Sequence, residues 1–215
     1  MLTKTVKSQL STKLACLLAF ALLVPLAHAS VLGVGGTAPP TPLTPSGPIL
    51  ATKSGTITAL TFSANYTTWV YADPNNTWCI GCLDFVYQFK NLGPAPNQRY
   101  SMSSFSGFNI DAGTNPFGLH DPNTVSRSVV LSGDVLSFNF DQFGNDITAG
   151  ETTVQLVIET DARYFTIGYL SAQDGTAGSG YGFQPSAVPE PSSLALMGSG
   201  LSVFGMMLRK FRFRK

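Results

Sequence analysis

This chain has few of the residues on which metal sites, nucleic-acid binders and most catalytic centres depend. Histidine occurs twice and cysteine three times in 215 residues. His28 and Cys16 lie in an apolar leader, which leaves His120, Cys79 and Cys82 for the rest of the chain. A zinc centre takes about four nitrogen, sulfur or carboxylate ligands, and no second cysteine pair is present to complete one. The expectation is therefore no metal and no cofactor. Positive charge is equally sparse. Between the two ends only Lys53, Lys90, Arg99, Arg127 and Arg163 face eleven acidic residues, a net charge of about −6. Phosphate binding needs clustered Lys and Arg, so nucleic acid is excluded as a partner. There is no Gly-x-Ser-x-Gly elbow and no Asp-x-Asp calcium loop. Neither the Gly33-Val34-Gly35-Gly36 run nor the glycine-rich stretch 175–182 has the strand, lysine and helix of a phosphate loop. The scattered acids do not single out a glycosidase pair. His120, next to Asp121-Pro122, reads as a turn residue, and the chain is expected not to be an enzyme.

What is present begins at the two ends. Lys4, Lys7 and Lys13 precede an apolar run over residues 14–26, and Ala27-His28-Ala29 places small residues before the Ala29–Ser30 bond. This order is that of a secretory signal peptide spanning residues 1–29. The run is too short for a span of about 20 residues, which argues against a permanent anchor. Cys16 lies at the start of the run, where a lipid-modified cysteine would not. At the other end, Pro189-Glu190-Pro191 precedes an apolar run over residues 194–208 and the cations Arg209, Lys210, Arg212, Arg214 and Lys215. The two prolines keep Glu190 extended. The apolar run, expected to be helical, can enter a bilayer but is short for a stable span. The cations stay on the cytoplasmic side, so the preceding domain faces outward.

The tail 188–215 resembles the PEP-CTERM sorting signal of Gram-negative-type bacteria: a Pro-Glu-Pro triplet, a short apolar segment and a basic end. The resemblance implies recognition by an exosortase, a membrane-embedded cysteine peptidase, near Pro189-Glu190-Pro191. It further implies passage through the export machinery and signal peptidase, a transient stay in the inner membrane, and delivery to the envelope, surface or extracellular matrix. Exopolysaccharide is a candidate partner. Tyr71-Ala72-Asp73-Pro74, the stretch from Leu83 to Phe89 and Ser126-Arg127-Ser128 also resemble a recurring ectodomain among such proteins, to which no activity is attached.

Between the ends, residues 30–50 are rich in proline and glycine and read as an irregular lead-in. From residue 51 to 187 the apolar period is two. Leu83, Phe85, Tyr87 and Phe89 alternate with polar residues, as do Leu136, Phe138 and Phe140, then Val154, Leu156 and Ile158, then Phe165, Ile167 and Tyr169. Turn signals such as Asp73-Pro74-Asn75-Asn76 and Gly93-Pro94 separate these runs. No window carries a 3.6-residue apolar repeat. The pattern predicts an all-β domain of seven or eight strands, an antiparallel β-sandwich with a β-barrel as the alternative.

Three features of this domain bear on function. Cys79-Ile80-Gly81-Cys82 sits between a turn and a strand, and is expected to close a structural disulfide outside the cytoplasm; a thioredoxin-like redox pair or half of a metal site are the alternatives. Trp69, Tyr71 and Trp78 gather near this turn as candidate sugar contacts, or else complete the packing. The parity of Asp84 puts it on the wet face, where Arg127 is a plausible ion-pair partner.

Overall fold

The structure, a computed structural model, describes residues 31–130, 133–141 and 144–187. The signal peptide with its Ala29–Ser30 bond, the Pro189-Glu190-Pro191 triplet, the apolar tail segment and the five terminal cations all lie outside the described residues. Among the described residues no helix is long and apolar enough to cross a membrane.

Twelve strands form two stacked sheets. The first sheet has the order β1 (Thr37–Ala38), β8 (Thr124–Val130), β9 (Gly133–Asn139), β6 (Arg99–Ser103), β11 (Tyr164–Asp174) and β12 (Thr176–Ser186). The second runs β2 (Thr41–Pro42), β7 (Ile110–Asn115), β10 (Gln155–Thr160), β5 (Cys82–Pro94), β4 (Phe62–Asp73) and β3 (Ile49–Thr58). All pairings are antiparallel except β2 with β7. The sheets do not close into a barrel, so the sandwich is the fold, as the period-two pattern predicts.

The core lies between the sheets. Leu83, Phe85, Tyr87 and Phe89 of β5 point inward as the alternation requires, and so do Leu136, Phe138, Leu156 and Ile158. Phe89 stacks on Tyr100 with ring centroids 4.0 Å apart, joining one sheet to the other. Each fully buried side chain of this size contributes about 1.5–3 kcal/mol. Two of the buried tyrosines find acceptors for their hydroxyls, Tyr66 donating to the Tyr181 carbonyl at 3.0 Å and Tyr87 to that of Phe183, whereas the Tyr100 hydroxyl has no partner among the described residues.

Two expectations are corrected here. In β11 the residues expected on the dry face, Ile167 and Tyr169, are exposed, and Leu170 and Ala172 are buried instead. The reason is crowding from the opposite sheet. Ile57 and Tyr66 reach so close to β12 that its inward positions are Gly178, Gly180 and Gly182, leaving room beside them only for Leu170 and small residues. The proline-rich segment, for its part, is more than a lead-in. Its β1 pairs with β8 of the first sheet and its β2 with β7 of the second. Leu43 then packs on the outside of the second sheet, against Val86 and Val157. A Cβ on Gly113 would collide with the Thr41 carbonyl, so this approach needs glycine in β7. Prolines suit such a segment because an edge strand can spare the donors they lack.

Candidate functional site

The outer face of the second sheet is the unusual region. Its register sets side chains in rows across four strands. Tyr71, Asp84, Glu159 and Asp111 form one row, and Trp69, Val86, Val157 and Gly113 form the next. A half-exposed antiparallel sheet usually turns such a face to water. Here residues 43–48 and the loop 74–81 fold over it, so Asp73, Asp84, Asp111 and Glu159 are all buried. The parity expected for Asp84 is therefore right and its solvation is not: Asp84 is 0% exposed, covered by the loop that leads into its own strand and by the distant 43–48 segment.

Ligand oxygens of Asp73, Asp84 and Glu159 lie within 4.8 Å of one another. Asp73 closes β4 and is well supplied with donors, from the Ser46 amide at 2.9 Å, the Ser46 hydroxyl and the Asn75 amide at 2.7 Å. Asn76 donates to Asp84 Oδ1 at 2.7 Å and to the Thr160 carbonyl at 3.2 Å. The Asn76 side-chain oxygen accepts the Trp78 amide at 2.8 Å, which shapes the loop. The Thr77 amide reaches Glu159 at 3.3 Å. Among the described residues no donor group lies at hydrogen-bond geometry to Asp84 Oδ2 or to either carboxylate oxygen of Asp111. Among the described residues no Lys, Arg or His pairs with any of these four acids.

The electrostatics follow from that shortage of donors and cations. Burial first, then the hydrogen bond shared with Asp73 and the charges of Glu159 and Asp73, push Asp84 up to about 9, with Asn76 opposing. For Asp73 burial alone would act the same way. The hydrogen bonds with Asp84, Ser46 and Asn75 outweigh it and hold the group below the usual carboxylate range. Burial and the charge of Glu159 raise Asp111 to about 6. The Thr41 hydroxyl and Ala112 amide favour its charged form, although neither carboxylate oxygen has a partner of hydrogen-bond geometry.

Arg127 is not the partner of Asp84. It belongs to the other sheet, where its Nη2 meets Asp134 at 2.6 Å and its guanidinium also donates to the carbonyls of Leu32, Phe105 and Phe108. His120 bridges Glu151, with Nε2–Oε2 at 3.0 Å, and Asn145 at 3.3 Å.

The cysteines and aromatics lie at the edge of the acidic site. Cys79 and Cys82 have Cα atoms 5.3 Å apart, inside the range a disulfide spans. The Cys79 carbonyl accepts the Cys82 amide at 3.0 Å, and the Gly81 amide donates to the Asp73 carbonyl at 2.8 Å. Trp69 and Tyr71 come together as half-buried side chains packed on Leu43, Val86 and Val157. Trp78 is half-buried on the loop, with no ring contact to the other two among the described residues. Phe117, Tyr164, Tyr169 and Tyr181 are the openly exposed aromatics among the described residues, and the rings of Tyr169 and Tyr181 lie 5.1 Å apart across β11 and β12. Sequence parity had assigned Tyr169 to the core, and Tyr181 follows a run of glycines that hides its strand. Glu159 and Asp73 were legible only as strand and turn acids, because what joins them to Asp84 is cross-strand register.

No curated protein and no solved structure matches this chain. The family model of the PEP-CTERM protein-sorting motif matches residues 187–214, immediately after the last strand of the sandwich. That signal implies processing by an exosortase, export, and delivery to the envelope or surface. The chain is thus a β-sandwich whose C-terminus carries a PEP-CTERM sorting signal.

Proposed function

We propose that this is a non-enzymatic protein of the bacterial envelope or extracellular matrix, exported behind a signal peptide cut between Ala29 and Ser30. The apolar run 194–208 and the cations from Arg209 to Lys215 hold it briefly in the inner membrane. The exosortase then releases it by cleavage near Pro189-Glu190-Pro191. Cys79 and Cys82 close a disulfide once outside the cytoplasm. The observation that carries this reading is the sorting-motif match over residues 187–214. The marginal length of the apolar run supports a temporary hold over a permanent anchor. Replacing Pro189, Glu190 and Pro191 by alanine tests it in the native host. The variant is expected to accumulate in the inner-membrane fraction while the parent reaches the surface or medium. Equal release of both would sink the role assigned to the triplet.

A second reading, carbohydrate binding within exopolysaccharide, has its own observation. Tyr169 and Tyr181 are 62% and 53% exposed and lie side by side on an outer sheet face, their rings inclined at 43°, and exposed aromatic faces stack well on sugars. Trp69, Tyr71 and Trp78 offer less ring surface, being half-buried. A glycan array comparing the parent with Tyr169→Ala and Trp78→Ala separates the two patches. Binding lost in only one variant identifies the patch, and flat responses throughout dismiss the reading.

A further inference from the structure

We propose that Asp73, Asp84 and Glu159 together bind a calcium ion beneath the 74–81 loop. The geometry is that of a hard-cation site. Calcium takes oxygen ligands at about 2.3–2.6 Å, so oxygens on opposite sides of one ion stand about 5 Å apart and neighbouring ones closer. Three carboxylates with ligand oxygens within 4.8 Å of one another meet that condition. They come from two adjacent strands and the end of a third, and the register of the sheet holds them in place.

Clusters of acids are common at protein surfaces, but this one is not at the surface. Asp84 is 0% exposed and Glu159 6%, and among the described residues no basic side chain pairs with either. Asp84 Oδ2, in the middle strand of the three, is buried with no amide, hydroxyl or cationic donor among the described residues, and the neighbour its carboxyl does meet, the Asp73 carboxylate, is itself an acceptor unless the two share a proton. One row position further on, Asp111 is also 0% exposed and has both oxygens unpartnered. Buried carboxylates without partners are costly, and they are found paired, hydrogen-bonded or on a metal. The donors that the cover does provide, the amides of Asn75 and Thr77 and the side chain of Asn76, hold the carboxylates in position and leave oxygens free. An all-oxygen set selects calcium or magnesium over zinc or copper. Calcium is favoured because magnesium keeps several of its waters, for which a covered site has little room. The ion would clamp the loop bearing Trp78 and the cysteine pair to the ends of β4, β5 and β10. The inference does not rest on the proposed function, and needs export only for a calcium supply.

The test uses the full chain recovered after export, stripped with EDTA and returned to CaCl2, MgCl2 or neither. Millimolar CaCl2 is expected to raise Tm by on the order of 5 °C or more, with one ion bound per chain by calorimetric titration. Terbium luminescence sensitised by the nearby Tyr71 and Trp78 is expected to appear and to be displaced by calcium. Asp84→Asn and Glu159→Gln should each abolish both responses, while Asp174→Asn, at the distant β11–β12 turn, should retain them. Equal Tm in EDTA and CaCl2 with no terbium signal would overturn the site, and so would responses that survive in both variants. Stronger stabilisation by magnesium would overturn the choice of ion. Should a variant fail to fold, the stoichiometry on the parent protein decides alone: one calcium supports the site and none refutes it.

Discussion

Buried charge occurs in two places in this sandwich, and the two are handled in opposite ways. In the first sheet Arg127 answers Asp134 directly and spends its remaining donors on three backbone carbonyls. In the second sheet Asp73, Asp84, Asp111 and Glu159 share a face where, among the described residues, no Lys, Arg or His pairs with them, and two of them keep unpartnered oxygens. The first site is self-sufficient and needs nothing from outside to be stable. The second is incomplete as a set of protein groups, which is the physical mark of a place where something else belongs. Both sites are roofed in part by the same proline-rich segment, since Arg127 holds Leu32 and Asp73 holds Ser46.

The largest loss of stability is expected at the self-sufficient Arg127–Asp134 pair. Arg127→Ala leaves Asp134 buried and unpaired and frees three carbonyls, and should cost about 3–5 kcal/mol in a denaturant titration. A loss under 1 kcal/mol would mean that the pair is not as enclosed as its geometry implies.

The acidic end should respond to pH with the opposite sign from an ordinary ion pair. Asp84 is raised in the folded state, so its contribution is fully present below its unfolded pKa near 4 and is lost as pH rises toward about 9. The groups facing it, Asp73, Glu159, Asn76 and Tyr71, include no positive charge to reverse this. In EDTA, stability should therefore fall between about pH 5 and pH 8, by up to about 1.4 kcal/mol per pH unit for one proton. Asp73 acts the other way, because its depressed pKa withdraws stability only as the solution becomes strongly acidic. Thermal melts across this range check the slope, and Asp84→Asn should flatten it without unfolding the protein.

A smaller effect separates the roof from the sites beneath it. Gly113→Ala pushes a Cβ into the Thr41 carbonyl and should cost about 1–3 kcal/mol. It should also speed proteolytic cleavage within residues 31–47 while leaving Arg127 and Asp134 paired. The smallest effect is expected at Tyr169→Ala, within about 0.5 kcal/mol of the parent, because the ring lies outside the core.

Much of the fold was legible because a two-sided sheet writes itself as alternation. Leu83 to Phe89 and Leu136 to Phe140 declared both strand and inward face in the sequence. Alternation failed at Ile167 and Tyr169, where both parities carry enough apolar residues and the decision was made by Ile57 and Tyr66 of the facing sheet. It also failed for Asp84, since parity says which face a residue is on and not whether a distant segment covers that face. The acidic site was illegible for a related reason. Asp73, Asp84 and Glu159 are spread over three segments, and only antiparallel register brings them together. The sorting motif was legible because it is a linear pattern, matched over residues 187–214 without reference to any fold.

On the function proposed above, this linear tail is an address that is removed, leaving the sandwich as the mature protein. The intact mass of the protein collected from the surface or medium tests it most directly. The predicted mass is that of a chain beginning at Ser30 and ending near Pro189-Glu190-Pro191, without the apolar run or the basic end. An exported chain that still runs to Lys215 would contradict the claim.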